Sequence, residues 1–205
     1  MKEEALGEKG KELFPKFKDF KDFYLAGGTA LALQMGHRVS VDFDFFSDDY
    51  IQKDLFSLIK KSFPEKEIKS SASSLEELTV FIDDVKVTFL RYPFPLLEDF
   101  VFYKDVPLLT VKEIAASKAY TIGRRGSYKD YIDLYFVIKN NYTSISGIIK
   151  LAEKKYKKEF NSRLFLEQLV YFKDIEDTDI LFLQESVGRE ELERFFLKKV
   201  KKLKI

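Results

Sequence analysis

The segment Val41-Asp42-Phe43-Asp44-Phe45-Phe46 constrains this chain more than any other stretch. Side chains of an extended strand alternate between its two faces. Phe43 and Phe45 therefore look one way, and Asp42 and Asp44 the other. Such a strand is buried on its phenylalanine face. Its two carboxylates stand roughly 7 Å apart along the chain and repel each other unless a cation lies between them. The plain alternative is a half-exposed strand with a polar outer face, and Asp-x-Asp alone does not choose between the two.

The residues upstream bear on that choice. Residues 23–26, Phe-Tyr-Leu-Ala, read as a short apolar strand that ends at Gly27-Gly28. Thr29 is placed to cap a helix over residues 30–35, and Gly36 to close it. Two glycines between strand and helix let the backbone approach a bulky anion. The free N–H groups of the helix start add about half a unit of positive charge. By itself Gly-Gly-Thr is equally a tight turn with a threonine cap. Placed just before an Asp-x-Asp strand, it reads as a phosphate cradle beside a divalent-metal site.

The remaining pattern predicts an amphipathic helix over residues 11–21, kinked near Pro15, and a helix over 51–61. Strands at 78–82 and 85–91 are joined at Asp83-Asp84 as a hairpin. Pro93, Pro95 and Pro107 mark an irregular crossing. Helices are expected at 111–122, 128–140, 144–156, 163–171 and 190–202. The chain thus reads as an α/β (α+β) protein. A mixed-sheet core over residues 1–108 is followed by a helical half over 109–205.

Two helices carry charges at apolar positions. Lys118 interrupts the stripe Val111, Ile114, Ala115, Ile122, so it either snorkels or meets an anion such as phosphate. Asp133 lies among Tyr131, Ile132, Leu134, Tyr135, Phe136 and Val137 and needs a partner. Lys129, four residues earlier, offers one as a helical pair. His37, the only histidine, is more often structural than catalytic in such a setting. Arg38, Arg124 and Arg125 fit a phosphate contact or an ordinary surface role equally well.

The absence of cysteine excludes disulfides, thiolate metal sites and cysteine nucleophiles. Lys2, Glu3 and Glu4 after Met1 do not open a signal peptide. Apolar runs are too short for a membrane helix, so a cytoplasmic location with no membrane partner is expected. With 35 Lys+Arg against 34 Asp+Glu, the chain is not globally basic. Basic blocks at 154–158 and 198–204 are either solvated helix faces or a steering patch for RNA or nucleotide.

The stretch from Leu25 to Phe46, Leu-Ala-Gly-Gly-Thr-Ala-Leu-Ala-Leu-Gln-Met-Gly-His-Arg-Val-Ser-Val-Asp-Phe-Asp-Phe-Phe, closely resembles the first motif of the AbiEii/AbiGii nucleotidyltransferase toxins. Lys118, with Arg124-Arg-Gly-Ser-Tyr-Lys-Asp-Tyr-Ile-Asp133-Leu, resembles that family's later lysine and aspartate motifs. The resemblance extends to residues 85–90 and the helical tail. It implies a DNA-polymerase-β-like nucleotidyltransferase fold. It implies Mg²⁺ (or Mn²⁺) on Asp42 and Asp44, and the triphosphate of an NTP at Gly27, Gly28 and Thr29. Lys118 would neutralise phosphate, and Asp133 would act as a base or nucleotide contact. Arg38, Ser40, Lys129 and Asp130 complete the implied nucleotide contacts. Family members are toxins of abortive-infection and toxin–antitoxin systems. Some add nucleotides to tRNA ends, and the antitoxin is usually a separate protein. An RNA acceptor and a cognate antitoxin are thus implied partners.

One departure stands out. The wider superfamily places a third carboxylate on a strand beside Asp-x-Asp, where residues 85–90 offer Lys86 and Thr88. Either Asp133 substitutes, one metal suffices, or catalysis is weak. Two rival readings share the sequence: a drug-modifying nucleotidyltransferase with a small-molecule acceptor, and a nucleotide-binding module without catalysis.

Overall fold

Phe43 and Phe45 are fully buried, and they fix which side of the sheet becomes core. The Phe17 ring lies 4.8 Å from each of them, and Phe45 stacks on Phe89 at 5.4 Å. Burying each such ring contributes on the order of 1.5–3 kcal/mol. The computed structural model describes residues 1–203. Lys204, in the basic block expected at 198–204, lies outside the described residues.

The sheet has seven strands: β1 (Tyr24–Ala26), β2 (Phe43–Ser47), β3 (Ile68–Ser73), β4 (Glu77–Ile82), β5 (Val85–Arg91), β6 (Val101–Tyr103) and β7 (Val106–Leu108). Their order is β3-β4-β5-β2-β1-β7-β6. The aspartate strand β2 runs antiparallel to β1 and parallel to β5, with Asp44 opposite Ala26 on one side and Thr88 on the other. It is therefore an interior strand, flanked by backbone on both edges. Its phenylalanine face is covered by α1 (Glu8–Leu13) and the 3₁₀ segment Phe14–Asp19. Pro15 at the start of that segment turns the expected kinked helix into a short α-helix running into 3₁₀ geometry. α3 (Leu55–Ser62) adds Ile59 to the same core.

The expected hairpin at Asp83-Asp84 is present, with φ of 47° and 71°, the left-handed pair that a two-residue turn requires. A second turn of the same kind, Lys104-Asp105 with φ of 48° and 63°, joins β6 to β7 inside the segment expected to be irregular. Strand β3 was also not expected. It is an edge strand of mostly exposed Lys and Ser with a register shift, so it buries too little to leave an alternating pattern.

The second half is helical: α4 (Val111–Ile122), α5 (Tyr128–Lys139), α6 (Ile145–Tyr156), α7 (Ser162–Leu169) and α8 (Arg189–Lys201). Thr110, Ser144 and Asn161 each accept a backbone N–H at the start of their helix. The expected basic block at 154–158 is not a continuous solvent face. Lys155 is buried, its Nζ 2.8 Å from Glu113 and 3.0 Å from the Pro95 carbonyl. Glu113 also accepts the N–H groups of Leu97 and Glu98, so this buried pair pins the proline crossing onto α4. No helix of the described residues is long and apolar enough to cross a membrane.

Helix α2 (Gly27–Met35) leaves the end of β1 and closes at Gly36, whose φ is 63° as a C-terminal glycine requires. The expected threonine cap is corrected. The helix begins at Gly27, after Ala26, and the Thr29 hydroxyl turns inward instead. It donates to the Asp42 carbonyl and lies 2.8 Å from Ser40 Oγ. The exit from α2 is held by the far end of the chain. Val39 donates to the Leu181 carbonyl at 2.8 Å, and Leu183 donates to that of His37 at 3.0 Å.

Candidate active site

A cavity of about 580 Å³ opens over the aspartate face of the sheet, between the start of α2, strands β2, β5 and β4, and helices α4 and α5. Its floor follows from the strand registers. Asp44, Thr88 and Thr79 lie level across β2, β5 and β4, and the next row is Phe46, Leu90 and Glu77. Asp42 just precedes β2. Lys86, two residues before Thr88 on β5, shares the same face and lines the cavity with Asp42. The floor thus runs from Asp42 and Lys86 to Phe46, Leu90 and Tyr92, with the Glu77 carboxylate beside Leu90 at that far end.

Asp42 is exposed and Asp44 half-buried. Burial, and then the like charge of Asp42, push the Asp44 carboxyl above the usual carboxylate range. Among cations Lys86 opposes this most, ahead of Lys118 and Arg125. A close carboxylate pair of this kind suits a hard divalent cation such as Mg²⁺ or Mn²⁺. Among the described residues no group of three or more acidic, histidine or cysteine side chains gathers there or elsewhere. Two carboxylates and the oxygens of a bound phosphate are the donors available.

The two glycines serve the charges around them. A Cβ on Gly27, where φ is 64°, would stand 2.6 Å from Asp44 Oδ2, and one on Gly28 would collide with Arg38 Nη2. Glycine lets the backbone approach these side chains, whereas the sequence suggested only a phosphate. The first turn of α2 still lines the cavity, with free N–H groups as any helix start has.

Behind the glycines lies a buried charge cluster. The Asp133 carboxylate has no exposure, and all of its neighbours are donors. Oδ1 lies 2.6 Å from His37 Nε2 and 2.7 Å from Arg38 Nε. Oδ2 lies 2.9 Å from Arg38 Nη2 and 2.7 Å from Lys118 Nζ. Lys118 also reaches Asp130 at 2.7 Å. Burial alone would raise the Asp133 pKa; Arg38 and Lys118 outweigh it and hold the carboxyl well below the usual range. Burial likewise disfavours the charge on Lys118, and Asp130 and Asp133 more than restore it. The fork of Arg38 behaves similarly against Asp133.

These positions revise several expectations. Lys118 does not snorkel: it is buried and meets the protein's own carboxylates. Arg38 is not a surface residue, and Asp133 pairs with it rather than with Lys129. Asp133, expected as a base or nucleotide contact, does not line the cavity and is fully buried among donors. Ser40, Lys129 and Asp130 do line the cavity. Glu77, Tyr92, Ser117 and Tyr120 also line it, although the sequence had not singled them out. Period-two alternation from Thr88 and Thr79 would have found Glu77. Nothing local marks the others.

The AbiEii family, described as the nucleotidyl transferase AbiEii toxin of a type IV toxin–antitoxin system, matches residues 11–93 and 75–202. The chain belongs to this family. An uncharacterized protein of Aquifex aeolicus (strain VF5) is 36% identical over 182 residues, covering 88% of this chain and 87% of its own. A putative nucleotidyltransferase from H. pylori shares the fold, with a TM-score of 0.58 at 19% identity over 95% of this chain and 96% of that one. MenT4, a nucleotidyltransferase toxin from Mycobacterium tuberculosis H37Rv, does so with a TM-score of 0.56 at 17% identity over 88% of this chain and 76% of that one. The AbiEii chain described here is thus a nucleotidyltransferase by family and by fold, with an NTP as the substrate that membership implies.

Proposed function

We propose that the chain transfers a nucleoside monophosphate from an NTP to an RNA acceptor, with a divalent cation on Asp42 and Asp44. One observation carries this reading: a single cavity joins a carboxylate pair, a helix start and a floor whose far end offers the apolar faces of Phe46, Leu90 and Tyr92, with Glu77 at its edge. A nucleotide has that same polarity, charged at its phosphates and flat and apolar at its base. The bound cation would draw charge from the α-phosphate and orient the oxygens around it. The N–H groups at Gly27, Gly28 and Thr29 hold the departing phosphates. Arg125 and Lys129 line the cavity and take part in none of the ion pairs among the described residues, so they are free to meet those phosphates. The acceptor oxygen attacks the α-phosphorus, the bond to the β-phosphate bridging oxygen breaks, and pyrophosphate leaves.

Asp133, Arg38 and His37 are positioning residues in this account. Arg38 stands against Gly28 and Asp133 holds Arg38, so the cluster sets where the helix start meets the carboxylates. Lys118 ties Asp133 and Asp130 to the cavity wall, and it approaches phosphate with its charge already shared.

An RNA acceptor fits exposed basic residues at Arg124 and Arg125 on the rim and Lys154, Lys157 and Lys158 beyond it. Binding of that kind weakens steeply with salt as counterions are released. The family's type IV toxin–antitoxin description makes a cognate antitoxin the expected protein partner. The test uses labelled NTPs with total RNA and compares wild type with Asp44→Asn. Label in a tRNA-sized band with wild type alone is the expected result. Label in a small molecule would move the acceptor to the drug-modifying class. Nucleotide binding with no transfer would leave a binding module.

A further inference from the structure

The cavity floor carries a cation that its own carboxylates do not neutralise. Lys86 is exposed on β5, shares the face of Thr88, and lines the same cavity as Asp42 and Asp44. It appears in none of the ion pairs among the described residues, although both carboxylates line that cavity with it. From that juxtaposition we infer that this site holds one divalent cation, on Asp42 and Asp44, and that the Lys86 ammonium supplies the second positive charge at the reacting phosphate. The inference rests on the nucleotidyltransferase reading above.

Charge and register both support it. A second divalent ion needs an anionic ligand of its own, because the first ion already draws on Asp42 and Asp44. The position level with Asp44 on the next strand is Thr88, a neutral hydroxyl 3.3 Å from Thr79 Oγ1. The nearest further carboxylate on that face, Glu77, is on the strand after that and accepts from Thr79 at 2.7 Å. The next position on that face of β5, two before Thr88, is the lysine itself, which repels any additional cation. A lysine there offers a mobile point charge on a four-carbon stem, able to follow a phosphate oxygen as charge develops on it. Lys118 brings no unshared charge to the phosphate, since Asp130 and Asp133 both hold it.

The probe is Mn²⁺ with an α,β-methylene NTP, which binds without transfer. Bound Mn²⁺ per chain is read from the loss of the free-ion electron-resonance signal, and analogue affinity by calorimetry. Wild type is expected to hold one ion per chain in the ternary complex. Lys86→Met should weaken the analogue about tenfold, with no change in thermal midpoint for so exposed a residue. The pair Lys86→Met with Thr88→Asp should take up a second ion. Two ions in wild type, or unchanged affinity in Lys86→Met, would overturn the inference while leaving the nucleotidyltransferase reading standing. A wild type that binds neither analogue nor Mn²⁺ would overturn both.

Discussion

Two groups of charged residues lie on either side of Gly27 and Gly28, and they are built on opposite plans. On the cavity side, Asp42, Asp44 and Lys86 carry no ion pairs among the described residues and remain open to solvent in part. On the other side, Asp133, Arg38, Lys118 and His37 pair with one another and are buried, with only His37 Nδ1 left without a partner among their side-chain atoms. The first arrangement leaves electrostatic energy unused until a ligand arrives. The second spends its charges on one another, so it fixes geometry and has little left to offer a substrate. Charge type alone would not separate them, since each has an aspartate and a lysine. Pairing and burial do.

The largest effect should come from breaking the saturated group. Asp133→Asn leaves Arg38 and Lys118 under-neutralised in the interior and should cost about 3–5 kcal/mol of folding stability in urea. The same carboxyl sets a pH signature. Its folded pKa lies well below the ordinary 3.8, so its contribution is complete above that value and is lost as pH falls from there toward the folded pKa. Wild type should therefore lose urea resistance below about pH 4 more steeply than Asp133→Asn. Parallel curves for the two proteins would remove Asp133 from the account.

Next in size is the open group, where stability and activity should part company. Asp44→Asn relieves a like-charge neighbour and should fold within about 0.5 kcal/mol of wild type. Its nucleotide transfer should fall by about 10²–10³-fold. A stability loss matching that of Asp133→Asn would show that the two groups are one structural unit. The smallest expected effect is at the boundary. Gly28→Ala presses on the Arg38 fork and should cost about 1–3 kcal/mol, read as a lower thermal midpoint that Arg38→Lys partly restores.

The open group was the more legible of the two in the sequence. Alternation placed Asp42 and Asp44 opposite Phe43 and Phe45, and helix spacing located all five C-terminal helices to within a residue or two. Lys118 and Asp133 were marked as anomalies by the apolar residues around them. That Asp133 also meets Arg38 was not legible, because the two are 95 positions apart in the chain and nothing local encodes the contact. Edge strands failed for a different reason. Residues 68–73 bury little, and Val101–Tyr103 and Val106–Leu108 are too short for a period to emerge among prolines.

The return of residues 181–184 to His37 and Val39 has a consequence for the order in which this molecule becomes whole. The Asp-x-Asp strand leaves the ribosome first. Asp133 follows much later, and the backbone partners of residues 37 and 39 later still. Until about residue 184 has emerged, the segment linking α2 to the carboxylate strand lacks its outer backbone partner. A chain that stops short carries every residue of the opening motif but lacks the bonds that Leu181 and Leu183 make to Val39 and His37. An interrupted copy thus presents the carboxylates on a segment held from its inner side alone, by Ala5, Thr29 and, once it is made, Asp133.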